Sequence, residues 1–297
     1  MAPVAVTKTG QETQWGFGMI GVVVASVFYG ITCVQTYTYY VNYRRDSWTL
    51  KLLVGVLWAL GSAHTAVITY TAYFYVIIHF GAPQTVIVWS QPAHVYIIST
   101  IAWIVQIFLI VRIWRMSRGI FRYASVTLLS LVSALAFVMG FAYASRLLQI
   151  KLIAHSQQIS ALMDTALGST MAEDILLTIW LSYLLTRSRT GSQQTDTLIN
   201  TLIKYTVRNG LVTSTCAFFD VILRAIFPTT LAFIPFYFVL AQLYIVTSLA
   251  TLNARNSLRN QGYSTDSASI KFEGFKPGID SGCSNLDLSE TLGHNRE

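Results

Sequence analysis

Charge is what this sequence lacks. Of 297 residues, 13 are acidic and 20 basic, so Asp, Glu, Lys and Arg make up 11% of the chain, against about 25% in an ordinary soluble domain. So few charges cannot cover the surface of one or two water-soluble domains of this total length, and lipid must cover much of it. Cysteine is scarce too: Cys33 and Cys216 fall in apolar runs and Cys283 in the C-terminal segment, leaving no pair to form an outer-face disulfide. Proline avoids the middles of the apolar runs. Pro92, Pro228 and Pro235 stand near their ends, so no matched pair of broken helices marks an inverted-repeat transporter. Asn-x-Ser/Thr sequons and a Walker-type phosphate loop are missing, which argues against outer-face glycosylation and nucleotide hydrolysis.

What is present is apolar length. Residues of the AVILMFWYC set make up 54% of the chain. Seven windows are long enough to cross a bilayer core as helices: 17–40, 50–78, 95–114, 122–146, 161–185, 203–226 and 230–252. The fold class expected is therefore all-α, a polytopic bundle of seven transmembrane helices. A leader of residues 1–16 precedes the seven-helix domain, 17–252. A secretory signal would have a shorter apolar core, so the first window reads as a retained span.

Basic residues set the expected orientation. Thirteen Lys and Arg collect at one set of span ends, among them Arg44, Arg45, Arg112, Arg115, Arg118, Arg122, Arg187 and Arg189. Four, Lys8, Arg146, Lys151 and Arg224, fall on the other. The positive-inside rule then places the N-terminus outside and the C-terminus in the cytoplasm, as an odd number of spans requires. The basic residues form short clusters at span ends, not one polar surface, so nucleic acid is not an expected partner; the lipid bilayer is. From residue 253 to 297 the composition turns to Ser, Asn, Asp and Gly, and this cytoplasmic tail is expected to be disordered, with Ser257, Ser264, Ser267 and Ser269 as phosphorylation candidates.

Few polar residues interrupt the spans, and each costs free energy at the bilayer centre unless it faces protein or water. His64 lies midway along span two; Glu173 and Asp174 lie midway along span five. These three form the candidate intramembrane polar site, in which His64 would pair with Asp174 or Glu173 around a cavity or merely fix helix packing. Glu173 and Asp174 point about 100° apart on a helix and so face different neighbours. Asp220 and Arg224, four apart on span six, are expected to pair along one face as a structural ion pair. Gln35, Gln106 and Gln242 can donate between helices. The letters Gly16-Phe17-Gly18-Met19-Ile20-Gly21 fit a dinucleotide fingerprint, but no strand precedes them. Gly21 with Ala25 and Ser26 with Gly30 read better as small-residue helix contacts.

Enzymatic chemistry finds little support. No nucleophile with a paired base stands out. Of the histidines only His64 is deep, with His79, His94 and His155 near outer loops and His294 in the tail, so neither a metal site nor a cofactor is expected. Span seven has no Lys for a retinal Schiff base and no Asn-Pro-x-x-Tyr.

Several stretches together resemble a known family. Tyr29-Gly30-Ile31 through Tyr39-Tyr40 and Arg44-Arg45-Asp46, then Arg112 to Ser117, Arg187-Ser188-Arg189-Thr190-Gly191, Thr195 to Asn200, Asn209-Gly210-Leu211, Phe236 to Phe238 and Leu252 to Arg255 resemble a fungal family of multi-span membrane proteins known only as a domain of unknown function. The resemblance spans roughly 17–260, includes His64 and Asp174, and does not include Glu173. It implies a seven-span protein without assigning a substrate. By its own chemistry, Arg187 with Arg189 is a candidate contact for lipid headgroup phosphates or for a cytoplasmic protein partner. The function these features favour is receptor-like or sensory, in the plasma membrane or an endomembrane. A small-solute or proton-coupled transporter using His64, Glu173 and Asp174 is the alternative, and a structural membrane protein a third.

Overall fold

The computed structural model describes residues 8–79, 87–117, 119–150, 160–188, 193–227 and 230–273, with backbone alone for 8–15, 160, 193–202, 204–206, 208–209 and 255–273. They form seven α-helices: α1 Lys8–Asn42, α2 Trp48–Tyr73, α3 Ser90–Met116, α4 Ile120–Gln149, α5 Ser160–Arg187, α6 Gln193–Ile226 and α7 Ile234–Glu273. A five-residue π-helical turn, Phe74–Ile78, continues α2. The all-α class expected from the apolar windows is what the backbone adopts. Pro92 and Pro235 stand in the first turns of α3 and α7, where a missing N–H leaves no helical bond unmade. Gly119, at φ 70°, turns the chain from α3 into α4 in the left-handed region that a side chain would disfavour.

Among the described residues, five helices are long and apolar enough to cross a membrane: Gly16–Asn42, Trp48–Ile78, Ser90–Met116, Ile120–Gln149 and Ile234–Ala254. Within α5 and α6, Asp164, Glu173 and Asp174, and Lys204, Arg208, Asp220 and Arg224, interrupt the apolar runs. The outer boundaries also differ from expectation. α1 begins at Lys8, inside the leader, and α7 runs as one helix past residue 252 to Glu273, into the segment expected to be disordered.

Each helix packs on its neighbours in sequence and α7 closes the ring against α1; α7 also meets α2 and α3, and α3 meets α5. α7 is the innermost: 61% of its apolar window is buried, against 28% in α1, α2 and α4. The outward faces are apolar. Val23, Val27 and Val34 on α1 and Leu128, Leu131 and Val138 on α4 are exposed, as a bilayer requires and water does not. Leu57, Ile101, Phe238, Ile245 and Leu249 fill the interior.

Small residues set the closest approaches. A Cβ at Gly21 would lie 2.8 Å from Pro235 Cα, and Ala25 is fully buried, so this pair does pack α1 on α7. A Cβ added at Gly30 would meet no neighbouring helix within 4 Å, so the Ser26–Gly30 pair is not a helix contact among the described residues. A Cβ at Gly140 would strike Ser99, and one at Gly210 would strike Thr178.

Hydrogen bonds tie the same helices. Gln242 Nε2 donates to Gly61 O (2.9 Å) and Thr65 Oγ1 (3.0 Å), while its Oε1 accepts from Thr32 (3.3 Å), so one amide joins α1, α2 and α7. Asn253 donates to Gln35 O (2.9 Å) and Tyr43 donates to Asn253 O (2.9 Å), fixing α7 to the end of α1.

Candidate functional site

Asp174 is almost fully buried on α5, facing the bundle interior. Its Oδ2 accepts a 2.6 Å hydrogen bond from the Tyr244 phenol on α7, and Thr213 on α6 stands beside the carboxylate. Three helices thus converge on one carboxyl group. Asp174, Thr213, Tyr244, Ser248 and Arg112 line a cavity of about 50 Å³. A second cavity of about 50 Å³ is lined by Ser99, Tyr143, Thr170 and Tyr237. Gln106 and Tyr244 line both, so they form the partition between them. Water needs at least about 10–15 Å³ of such space and two or more polar partners, and both cavities offer that.

Glu173 is fully buried one position earlier and points round the helix toward Ser133 on α4. Ser133 donates its hydrogen bond to Gln106 Oε1 (3.0 Å). Both Glu173 oxygens and Gln106 Nε2 have no hydrogen-bond partner among the described residues.

His64 is elsewhere. It is fully buried on α2, with neither ring nitrogen hydrogen-bonded among the described residues. Its ring stands edge-on to that of His94 on α3, centroids 6.4 Å apart, and His94 packs in turn on Tyr237 and Phe238. His94 Nδ1 donates to Ser90 O (3.2 Å). The pairing of His64 with Asp174 or Glu173 is not formed, because α3 and α7 occupy the interior between α2 and α5.

The expected pair along α6 is not formed either. Arg224 Nε donates to Asp164 Oδ1 on α5 (2.5 Å). The long Arg side chain reaches the neighbouring helix instead of the residue one turn back. Asp220, fully buried, has no hydrogen-bond partner on either oxygen among the described residues. Arg187 is exposed in the last turn of α5; Arg189 lies outside the described residues.

Sequence reasoning overlooked Tyr244, Thr213 and His94. Tyr237 and Tyr244 are seven apart and so share one face of α7, a signal that could have located the phenols. His94 reads as a loop residue only if α3 begins after it, whereas the helix starts at Ser90.

A buried carboxyl joined to a phenol, with hydroxyls and an amide around water-sized cavities, can bind a small polar or cationic group and exchange protons with water. Residues 170–257 match a family described as a family of unknown function, DUF6534. The matched stretch includes Glu173, Asp174, Thr213, Asp220 and Tyr244, and it leaves out His64 and His94. Neither a curated protein nor a solved structure matches the chain. The helical fold, its apolar outer faces and this match define a multi-pass membrane protein in contact with the lipid bilayer, with a domain of unknown function.

Proposed function

We propose that the chain is a seven-span, receptor-like or sensory protein of the plasma membrane, without enzymatic activity, its N-terminus outside and its C-terminus cytoplasmic. One observation carries this reading: α7 lines both cavities with polar side chains, through Tyr237 and Tyr244 on one and Tyr244, Ser248 and Thr251 on the other, and continues as a single helix to Glu273. A small polar ligand that displaced water beside Tyr244 would act directly on a helix that ends beyond the span. Crossing by α5 and α6 is supported by their lengths, 28 and 34 residues. At 1.5 Å per residue even the shorter spans about 42 Å, more than a bilayer core of about 30 Å. Their acids Glu173, Asp174 and Asp220 are turned inward, away from lipid.

Hydrogen exchange followed by mass spectrometry, on the full chain in lipid nanodiscs, tests the coupling. Asp174→Asn is expected to speed exchange along α7 past position 252. A change confined to α5 and its immediate contacts would contradict the sensory reading.

A second reading, proton-coupled transport of a small solute, is favoured by Glu173, Asp220 and His64, ionisable groups buried without hydrogen-bond partners among the described residues. Proteoliposomes carrying a trapped pH dye distinguish it: potential-driven acidification lost in Asp174→Asn supports transport, and no flux above empty vesicles rejects proton movement.

A further inference from the structure

A groove of about 830 Å³ opens where the ends of α3 and α5 meet the start of α4. It falls within the range of about 300–1,000 Å³ typical of small-ligand sites. Met116, Phe121, Ile179 and Trp180 give it an apolar part, and Arg187 lines it together with the hydroxyls of Ser117 and Ser188. Ile179 and Phe121 are also strongly exposed on the outer surface, so the groove opens sideways, toward the lipid-facing side of the bundle. The Trp180 indole N–H is buried without a hydrogen-bond partner among the described residues. One position past Phe121, the Arg122 guanidinium lies 3.4 Å over the Trp114 ring, a second cation at this end of the bundle. Among the described residues that line the groove, none is acidic.

We propose that this groove binds an anionic phospholipid of the cytoplasmic leaflet, its acyl chain between α3, α4 and α5 and its phosphate at Arg187. Charge complementarity argues for the headgroup: the exposed Arg187 guanidinium shares the lining with the hydroxyls of Ser117 and Ser188, and no acidic residue stands among the described residues of that lining. The sideways opening argues for a lipid over a soluble anion, because an acyl chain reaches the slot from the bilayer without entering water. It also argues against a cytoplasmic protein segment, which would have to displace lipid from Ile179. The inference rests on α5 lying in the bilayer, part of the seven-span reading.

The test is tryptophan quenching by brominated phospholipids, with the full chain reconstituted in bilayers containing brominated phosphatidylserine or brominated phosphatidylcholine at equal mole fraction. The Trp180 signal is the difference between the native chain and Trp180→Phe. Brominated phosphatidylserine is expected to quench it several-fold more than the zwitterionic lipid. That excess should fall to near unity in Arg187→Gln, survive in part in Arg187→Lys, and be unchanged by inorganic phosphate in the buffer. Equal, non-zero quenching by both lipids would overturn the site while leaving α5 in the membrane. No quenching of Trp180 by either lipid would instead overturn the seven-span reading, and the site with it. Loss of the excess on adding phosphate would make a soluble anion the occupant, and persistence of the full excess in Arg187→Gln would remove the assigned headgroup contact; either result overturns the proposal.

Discussion

The Tyr244 phenol donates a 2.6 Å hydrogen bond to Asp174 Oδ2 and thereby joins the innermost helix, α7, to α5 at a point where both side chains are buried. Tyr244→Phe removes the donor and little volume. Interhelical hydrogen bonds in bilayers contribute about 0.6 kcal/mol on average and up to about 1.7, so the variant should lose stability within that range. A double-mutant cycle with Asp174→Leu, which removes the acceptor, should show coupling of at least about 0.5 kcal/mol, measured by thermal unfolding in one lipid composition. Additive effects would mean that the bond contributes nothing.

The two acids near Arg224 should respond in opposite ways. Asp164, whose side chain is 58% exposed, holds Arg224 from the rim, so Asp164→Asn should cost under about 1 kcal/mol after solvent screening. Asp220 is sealed without a hydrogen-bond partner among the described residues, and Asp220→Asn should leave stability unchanged or raise it, by up to about 1 kcal/mol. Arg224→Met should be the most damaging of the three, because it removes the cation four residues from a buried acid. Melting temperatures of the three variants check the order.

Gly140 lets α4 approach α3 so closely that an added methyl would strike the Ser99 hydroxyl. Gly140→Ala should therefore destabilise by about 1–3 kcal/mol through overpacking. Ser99→Ala in the same chain should restore most of the loss, since it leaves the new methyl a 3.3 Å neighbour that can shift by a few tenths of an ångström. Failure of the second substitution to rescue would place the strain elsewhere.

Orientation is open to thiol labelling in sealed vesicles. With Cys33, Cys216 and Cys283 replaced, a cysteine at Ser188 should react with a membrane-impermeant reagent only from the cytoplasmic side, and one at Lys8 only from the outside. Reaction of both from the same side would mean an even number of crossings between them and would contradict the crossing by α5 that the seven-span reading requires.

Much of the fold is legible in the sequence because apolar length and helical period are local properties. Each of the seven windows falls on one helix, except that the second runs on from α2 into the π-helical turn Phe74–Ile78 and the seventh begins with residues 230–233, which precede α7. The inward turn of Glu173 and Asp174 follows from the same pattern. The partners do not. Periodicity says which face a residue occupies and not which helix stands opposite, so the pattern points His64 toward α5, whereas α3 supplies its neighbour. Arg224 shows a second limit: spacing on one helix suggested Asp220, whereas a long flexible side chain chose a carboxylate on another. The helical extent of α7 beyond residue 252 is likewise hidden, because Ser and Asn are weak helix formers and the composition reads as loop.

The central claim, that α7 relays the state of the polar interior to the cytoplasmic side, is tested most directly by a distance. Spin labels at Ile120→Cys on α4 and Arg259→Cys on α7, in the chain without its native thiols, report the position of the α7 extension by pulsed dipolar spectroscopy in nanodiscs. The account predicts two distance populations whose proportions shift in Tyr244→Phe. A single narrow distance, the same with and without the Tyr244–Asp174 bond, would contradict it.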